Sequence, residues 1–193
     1  MYKGTNASDG IGIGTAVIVE EAELIITRRE VNDTEAEVQR FKGALETTIA
    51  ETQKMAEDLA ARVGEKEAEI MQGHMMLLSD PMLTGEIENS IQNDKVNSEF
   101  AIENVCNMYA DMFASMGDEL MQQRATDMRD IKVRMQRTLM GLQSVDVSAL
   151  PAGTILVAKD LTPSMTAGIN PANDSLNCLG ISAGIQRLVQ LPA

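Results

Sequence analysis

Residues Glu65 to Leu83 read EKEAEIMQGHMMLLSDPML, an acidic, helix-favouring lead-in followed by a methionine-rich apolar cluster. Pro81 cannot lie inside a helix but is well tolerated at its first position, so Asp80 is predicted to cap a second, offset helix. The stretch therefore predicts a kinked pair of helices. The apolar positions of the pair follow helical spacing and are Ile70, Met71, His74, Met75, Leu77, Leu78, Leu83, Ile87 and Ile91. Spacing alone leaves open whether this stripe is all core or partly a surface for another protein.

The composition is that of a globular protein and narrows the classes of partner. The chain has 193 residues, of which 44% are hydrophobic and 23% charged, enough for one large domain or two small ones. Its net charge of -13 would repel nucleic acid and favours a basic protein partner. Cys106 and Cys178 lie far apart and form no disulfide framework or zinc motif, and neither a signal peptide nor a membrane-spanning segment is evident. We expect a cytosolic protein with no membrane insertion.

Methionine is unusually common, with 14 residues against 3% aromatic residues. Most of them fall between Met55 and Met140. They are predicted to fill a helical core, and some of them to form an adaptable surface, because the thioether is polarizable and its side chain repacks easily.

The order of patterns along the chain predicts an α+β architecture in two parts. A β-branched run at Thr15 to Val19 and a buried-strand candidate at Ile155 to Leu161 lie in residues 1–30 and 144–193, which are predicted to share one α/β subdomain. Between them, residues 32–142 carry helical periodicity broken by polar or glycine positions, which predicts four helices, two of them broken. The expected fold is a kinked four-helix bundle inserted into a discontinuous α/β domain.

Four segments, in order, carry a family resemblance. They are YKGTNASDGIGIGTAVIV from Tyr2, QGHMMLLSDPML from Gln72, RATDMRDIKVRM from Arg124 and ILVAKDLTPSMTA from Ile155. Together they resemble the amino-terminal half of enzyme I of the bacterial phosphotransferase system, the phosphoenolpyruvate-protein phosphotransferases. The resemblance implies a swivelling phosphohistidine-type α/β domain and a helical subdomain that docks the phosphocarrier HPr. In that family, phosphate passes from phosphoenolpyruvate through a histidine to HPr during sugar uptake.

One part of the family pattern is missing. The family carries a Gly-Gly-x-Thr-Ser-His motif, whose histidine is phosphorylated, after the segment that matches DLTPS. Here Gly180 to Gly184 runs directly into Ile185 to Ala193, and neither stretch contains a histidine. The resemblance thus implies an enzyme family whose catalytic histidine this chain lacks, so the chain alone is expected to be inactive. It also implies no cofactor in this chain, because Mg²⁺ and phosphoenolpyruvate belong to the family's carboxy-terminal barrel. That barrel is a second expected partner, besides HPr.

The resemblance also implies a docking surface for HPr. Residue-by-residue transfer gives Glu65, Glu69, Met76, Asp80, Leu83, Arg124 and Arg129. Met76 and Leu83 are expected to receive apolar side chains, and the carboxylates to pair with basic groups. His74, the only histidine, is expected to be a half-buried helix residue rather than a phosphoryl acceptor or metal ligand. No catalytic or metal-binding set is predicted.

Two other interpretations remain open. The chain could be a non-catalytic helical adaptor, or a relative of the swivelling domains of phosphoenolpyruvate synthases and pyruvate phosphate dikinases. Those relatives lack the helical insertion that docks HPr, so a titration with HPr separates the interpretations.

Overall fold

The structure is a computed structural model that divides the chain into two compact units. It describes residues 14–19, 24–142, 147, 150–151, 153–158, 162–169 and 177–180, the last of these through their backbone. One unit comprises residues 1–22 and 145–193, and the other comprises residues 23–144. The described part is mostly helical with a small parallel sheet.

The second unit is a helical bundle. Its helices are α1 (Thr34–Arg62), α2 (Glu65–Leu78), α3 (Pro81–Asp94), α4 (Ser98–Ser115) and α5 (Glu119–Met140). The helix boundaries follow from capping residues: the Asp33 side chain accepts from the Ala36 N–H, and the Asp118 side chain accepts from the Leu120 N–H. Gly141 ends α5 in the left-handed conformation, with φ of 65°. Each of these helix boundaries lies at a residue type that favours capping, so the sequence itself indicates it.

The kinked helix pair is confirmed. Helix α2 ends at Leu78, and α3 begins at Pro81 with Asp80 as its N-cap. The Asp80 carboxylate accepts a hydrogen bond of 2.8 Å from the Met82 N–H, which satisfies a donor that the first helical turn would otherwise leave unpaired. Proline at the first position has no N–H to satisfy and fits there without strain.

The bundle core is aliphatic and methionine-rich, as the composition predicts. Its largest fully buried side chains include Phe41, Met71, Leu78, Ile87, Ile91, Ile102, Met128, Ile131 and Met135. Cys106 lies in the same core, and burial raises the pKa of its thiol to about 12. The thiol is therefore protonated at neutral pH and packs as a small apolar side chain.

A buried carboxylate ties α4 to α1. Glu99, in the first turn of α4, lies 2.7 Å from the Arg40 guanidinium of α1 and also accepts from the Asn97 side chain. Arg40 in turn donates to Glu37, whose carboxylate accepts from the Ser98 N–H. Burial alone would raise the pKa of Glu99, but the hydrogen bonds from Arg40 and Asn97 outweigh it and hold that pKa below its usual value. The ionised cluster thereby fixes the start of α4 against α1.

The first unit contains a parallel sheet in the order β1 (Thr15–Val19), β2 (Thr154–Ala158) and β3 (Asn177–Gly180). Thr15 lies opposite Thr154, and Ile155 opposite Asn177. A short helix follows β2 in the sequence, α6 (Pro163–Gly168), and is capped by the Thr162 hydroxyl. The core of the first unit is small and consists of Val19, Val147, Leu156, Met165 and Ile169. The segment in which the family histidine is missing, residues 181–193, lies outside the described residues.

Candidate docking face on the kinked helix pair

One face of α2 combines acidic and apolar side chains. Glu65, Glu69, Gln72 and Met76 recur at intervals of four, three and four residues, so they share one side of the helix, and all four are exposed. Met76 is 71% exposed, which is unusual for a large apolar side chain in a well-packed bundle. The opposite side of α2, with Ala68, Met71 and Leu78, is buried. The helix thus presents Met76 to solvent at the end of an acidic stripe.

The prediction that the Leu83 side chain is available to apolar side chains of HPr is wrong. Leu83 is only 2% exposed and packs in the core with Ile87 and Ile91. These three residues repeat at four-residue spacing, which puts them on the core side of α3. The exposed apolar side chain at the start of α3 is Met82, which is 67% exposed. Asp80 is partly buried, and its carboxylate accepts a hydrogen bond from the Met82 N–H as the N-cap of α3.

Arg124 of α5 lies directly on the backbone of α2. A Cβ atom built on Gly73 would come within 2.5 Å of the Arg124 Nη1, so the guanidinium occupies the space that any larger residue would need. Asp127, one turn further along α5, holds the same guanidinium at 3.7 Å. Gly73 is four residues from Glu69 and three from Met76, so Arg124 is positioned beside the exposed stripe of α2.

His74 is buried, not half-buried as predicted. Its side chain has no exposed surface, and it lies between two carboxylates of α5. The Nε2 atom is 3.3 Å from Asp127 Oδ1 and the Nδ1 atom 3.6 Å from Asp130 Oδ2, without hydrogen-bond geometry at either nitrogen among the described residues. The stripe that includes Met71 and Leu78 turns this position inward, and polar partners on α5 make its burial possible. Inaccessibility to solvent argues against a phosphoryl acceptor at this position.

Arg129 does not join this arrangement. It is exposed on α5, five residues after Arg124, and positions five apart lie about 140° apart around a helix. Arg124 faces α2, so the two arginines cannot both approach the stripe on that helix. The structure therefore brings together Glu65, Glu69, Met76 and Arg124, with Asp80 at the turn, and leaves Arg129 on another side of α5.

The end of α4 and the start of α5 expose further apolar side chains beyond the predicted docking residues. The exposed residues Met112 and Met116 lie near its end, and Leu120 is exposed at the start of α5. Burial raises the pKa of Tyr109 on the same helix, and the nearby carboxylates of Glu86 and Asp80 raise it further. Helix α4 packs on α3 after a connection of three residues, so its end runs back toward the turn between α2 and α3. The four-residue repeat of methionines on α4 was the available signal, but a repeat of this kind equally fits a core.

The side chains exposed on this face suit contact with a protein partner. Among the residues that the structure describes, no cluster of histidine, cysteine, aspartate or glutamate could hold a metal ion. No helix in the described part is both long enough and apolar enough to cross a membrane. This face combines exposed methionine side chains with carboxylates and with the Arg124 guanidinium, which pairs with Asp127. Such a surface suits a protein partner that has apolar anchors and basic groups.

Comparison with known proteins identifies one enzyme family. The family model of the amino-terminal part of phosphoenolpyruvate-utilising enzymes matches residues 3–124. The phosphoenolpyruvate-protein phosphotransferase of Listeria monocytogenes is 41% identical over 168 residues, and that of Bacillus subtilis is 39% identical over 168 residues. Each match covers 87% of this chain, but only 29% of the Listeria protein and 30% of the Bacillus protein. The chain thus spans less than a third of the length of these relatives.

Two solved structures share the fold. A solution structure of enzyme I (nEIt) is 36% identical, with a TM-score of 0.76 over 85% of this chain and 67% of the other. The amino-terminal domain of a nitrogen enzyme I is 26% identical, with a TM-score of 0.63 over 88% of this chain and 69% of the other. The resemblance in the four sequence segments is therefore accompanied by a fold shared over 85% to 88% of this chain.

Proposed function

This chain belongs to the family of phosphoenolpyruvate-utilising enzymes, as the amino-terminal part of an enzyme I, and we propose that its helical unit docks the phosphocarrier HPr. The observation that carries the proposal is the exposed stripe of α2, in which Met76 follows the acidic residues Glu65 and Glu69 and Arg124 lies alongside at Gly73. A helix whose outward face carries a large apolar side chain among charges is suited to binding a partner.

Each group on this face has a distinct physical role. Met76 and Met82 supply apolar surface that loses water on docking, and their flexible side chains adapt to the partner's shape. Glu65 and Glu69 are exposed, so their main contribution is to attract a basic partner and speed encounter. Arg124 pairs with Asp127 and fills the space beside Gly73 before binding, which lowers the entropy lost when it pairs with an acceptor on HPr.

The second part of the proposal concerns phosphoryl transfer. We assign the first unit to the swivelling phosphohistidine-type domain of the family, with the helical unit as its insertion. The sequence carries its only histidine at His74, in the helical unit, where it is buried. Phosphoryl transfer needs an acceptor nitrogen in line with the donor, which supports the proposal that this chain docks HPr without carrying phosphate itself.

The same proposal assigns phosphoenolpyruvate and Mg²⁺ to the carboxy-terminal part of intact relatives, which is the partner domain expected from the resemblance. The cytosol is the proposed compartment, because HPr and its partners would meet there. Arg129 is retained as a peripheral contact at most, since it lies on another side of α5.

The docking proposal is tested by titrating the isotope-labelled chain with HPr. Chemical-shift changes are expected in α2, at the start of α3 and at Arg124. Met76→Ala should weaken binding by about tenfold, the effect of losing a well-placed apolar anchor. Met140→Ala is the matched control, because Met140 is also exposed but lies at the far end of α5. Its affinity should match that of the parent.

The contrary outcomes are equally specific. An unchanged spectrum at millimolar HPr would favour a helical adaptor or a relative of the phosphoenolpyruvate synthases. Shift changes confined to α1 would reject this face as the docking surface while keeping HPr as a partner.

A further inference from the structure

The sulfur-containing side chains of the helical unit fall into two sharply different environments. Cys106 is buried, and burial raises the pKa of its thiol, which makes it a poor target for oxidants. Several methionines, by contrast, expose their thioethers to solvent: Met76, Met82, Met108, Met112, Met116 and Met140. Thioether oxidation requires no ionisation, so exposure alone governs which of these sulfurs a solution oxidant can reach.

Four of these methionines border the turn between α2 and α3. Met76 and Met82 lie on either side of that turn, and Met112 and Met116 occupy the end of α4. Helices α3 and α4 pack against each other and are joined by only three residues, 95–97, so the end of α4 runs back toward the start of α3 and the turn before it. We call Met76, Met82, Met112 and Met116 the methionine band.

We propose that the methionine band is a set of oxidation sites through which hydrogen peroxide weakens docking of the phosphocarrier partner; this rests on the function proposed above. In each event the sulfur lone pair attacks one peroxide oxygen, the O–O bond breaks and a sulfur–oxygen bond forms. The second oxygen leaves as hydroxide and takes the proton of the sulfur-bound oxygen to become water, so the sulfur loses two electrons and the peroxide gains them. The product is methionine sulfoxide, a polar side chain that a thiol-dependent reductase can return to the thioether.

The consequence for docking follows from the change in polarity. An apolar anchor that carries a sulfoxide must shed bound water to enter an apolar site, and it finds no donor there to replace that water. The same chemistry at a buried position would unfold the bundle, but Met71, Met128 and Met135 are at most 1% exposed and thus shielded. Peroxide should therefore alter the docking surface while the bundle stays folded.

The experiment compares the affinity for HPr before and after peroxide, with the full chain throughout. Peptide mass spectrometry measures sulfoxide at each methionine, and circular dichroism checks that the helices persist. We expect oxidation at the band and at Met108 and Met140, little at Met71 or Met135, and an affinity for HPr about tenfold lower after treatment. Incubation with a methionine sulfoxide reductase should restore it.

Two substituted chains make the test specific. Leucine keeps the apolar bulk but cannot be oxidised, so a variant with leucine at the four band positions should give the same affinity before and after peroxide, whatever its starting value. The matched control carries Met108→Leu and Met140→Leu, and should lose affinity on peroxide treatment as the parent does.

The outcomes separate the two proposals. Absence of HPr binding before any peroxide overturns the proposed function, and the oxidation proposal with it. Tight binding that is unchanged by complete oxidation of the band overturns the oxidation proposal alone. Equal peroxide sensitivity of the band variant and the parent has the same result, because the effect would then come from elsewhere.

Discussion

At the scale of single residues, Gly73 controls the position of Arg124. An alanine there would favour helix α2 by about 1 kcal/mol in intrinsic propensity, but its Cβ would meet the Arg124 guanidinium. Since that group is the far end of a flexible side chain, it can move at little cost to the fold. We expect Gly73→Ala to leave stability unchanged or slightly raised, and to weaken HPr binding by about fivefold through the displaced arginine.

The matched control is Gly43→Ala in α1, because a Cβ atom there meets nothing within 4 Å. Thermal unfolding should show a similar or larger gain for this variant, and the HPr titration no change. Shifts of the Arg124 guanidinium resonances report its displacement directly. Loss of stability in Gly73→Ala would mean that the arginine cannot move and that the packing is rigid.

Sequence reasoning at this scale succeeded where chemistry is local. The N-cap role of Asp80 depends on Pro81 and on one backbone N–H, all within three residues. The burial of Leu83 and His74 depends on other helices, and periodicity alone could not assign it. The contact of Arg124 with Gly73 joins residues 51 positions apart, and only the packing of α5 on α2 creates it.

At the scale of elements, the attachment of α4 to α1 is predicted to depend on pH. The pKa values of Glu37 and Glu99 lie below their ordinary 4.5 in the folded chain, so their ionised forms stabilise the fold. That stabilisation is complete above pH 4.5 and is lost as pH falls through the lower folded values. Glu99→Gln should therefore cost about 2 kcal/mol at pH 7, an amount reduced because Arg40 is partly exposed.

Urea unfolding at pH 7 and pH 3 measures this effect, with the difference between parent and variant expected to shrink at pH 3. Glu88→Gln is the control, because Glu88 pairs with Lys42 in a more exposed ion pair and should cost less than about 1 kcal/mol. An equal loss for Glu99→Gln at both pH values would assign its effect to shape rather than charge.

Helix boundaries were largely predictable, and the attachment between helices was not. Asp33, Asp118 and Gly141 each carry a capping signal that can be read within one turn. The Glu99 cluster joins α1 to α4 through residues about sixty positions apart. A glutamate in a first helical turn is ordinarily solvent-exposed and interacts favourably with the helix dipole, so the sequence around Glu99 does not predict that this residue is buried.

At the scale of the whole molecule, docking is predicted to need only the helical unit. Residues 23–144 form a compact unit that contains every candidate docking residue. Expressed alone, this segment should fold cooperatively and bind HPr with an affinity within about threefold of the full chain. Calorimetry and the same titration measure both quantities. A segment that folds but fails to bind would show that the first unit contributes to the docking surface.

Phosphoryl transfer is expected to be absent from the full chain. Mixing with radioactive phosphoenolpyruvate and a carboxy-terminal barrel from a relative should leave the chain unlabelled, because its only histidine is buried. HPr phosphorylation by an intact relative is the positive control. Acid-labile phosphate on His74 would contradict the expectation and would require α2 to open.

The family resemblance supplied at this scale what periodicity could not. A mostly helical chain with a small parallel sheet follows from spacing and turn chemistry, but many proteins share that description. The expected partner came from four ordered segments, and the matching relatives belong to the family that those segments indicate. The order of the strands required pairing between residues about 140 positions apart, which no local pattern encodes.

The reactivity of the buried Cys106 thiol can report how often the helical bundle opens. A disulfide reagent reacts with a thiolate, and this sulfur can form one only when α4 separates from its neighbours. In a Cys178→Ser background, the labelling half-time at pH 8 would measure how often the bundle opens, and we expect it to exceed that of the urea-unfolded chain by at least about a thousandfold. A half-time within tenfold of the unfolded value would reveal a bundle that opens readily. A chain without tryptophan would thus still have a single-site reporter of its opening.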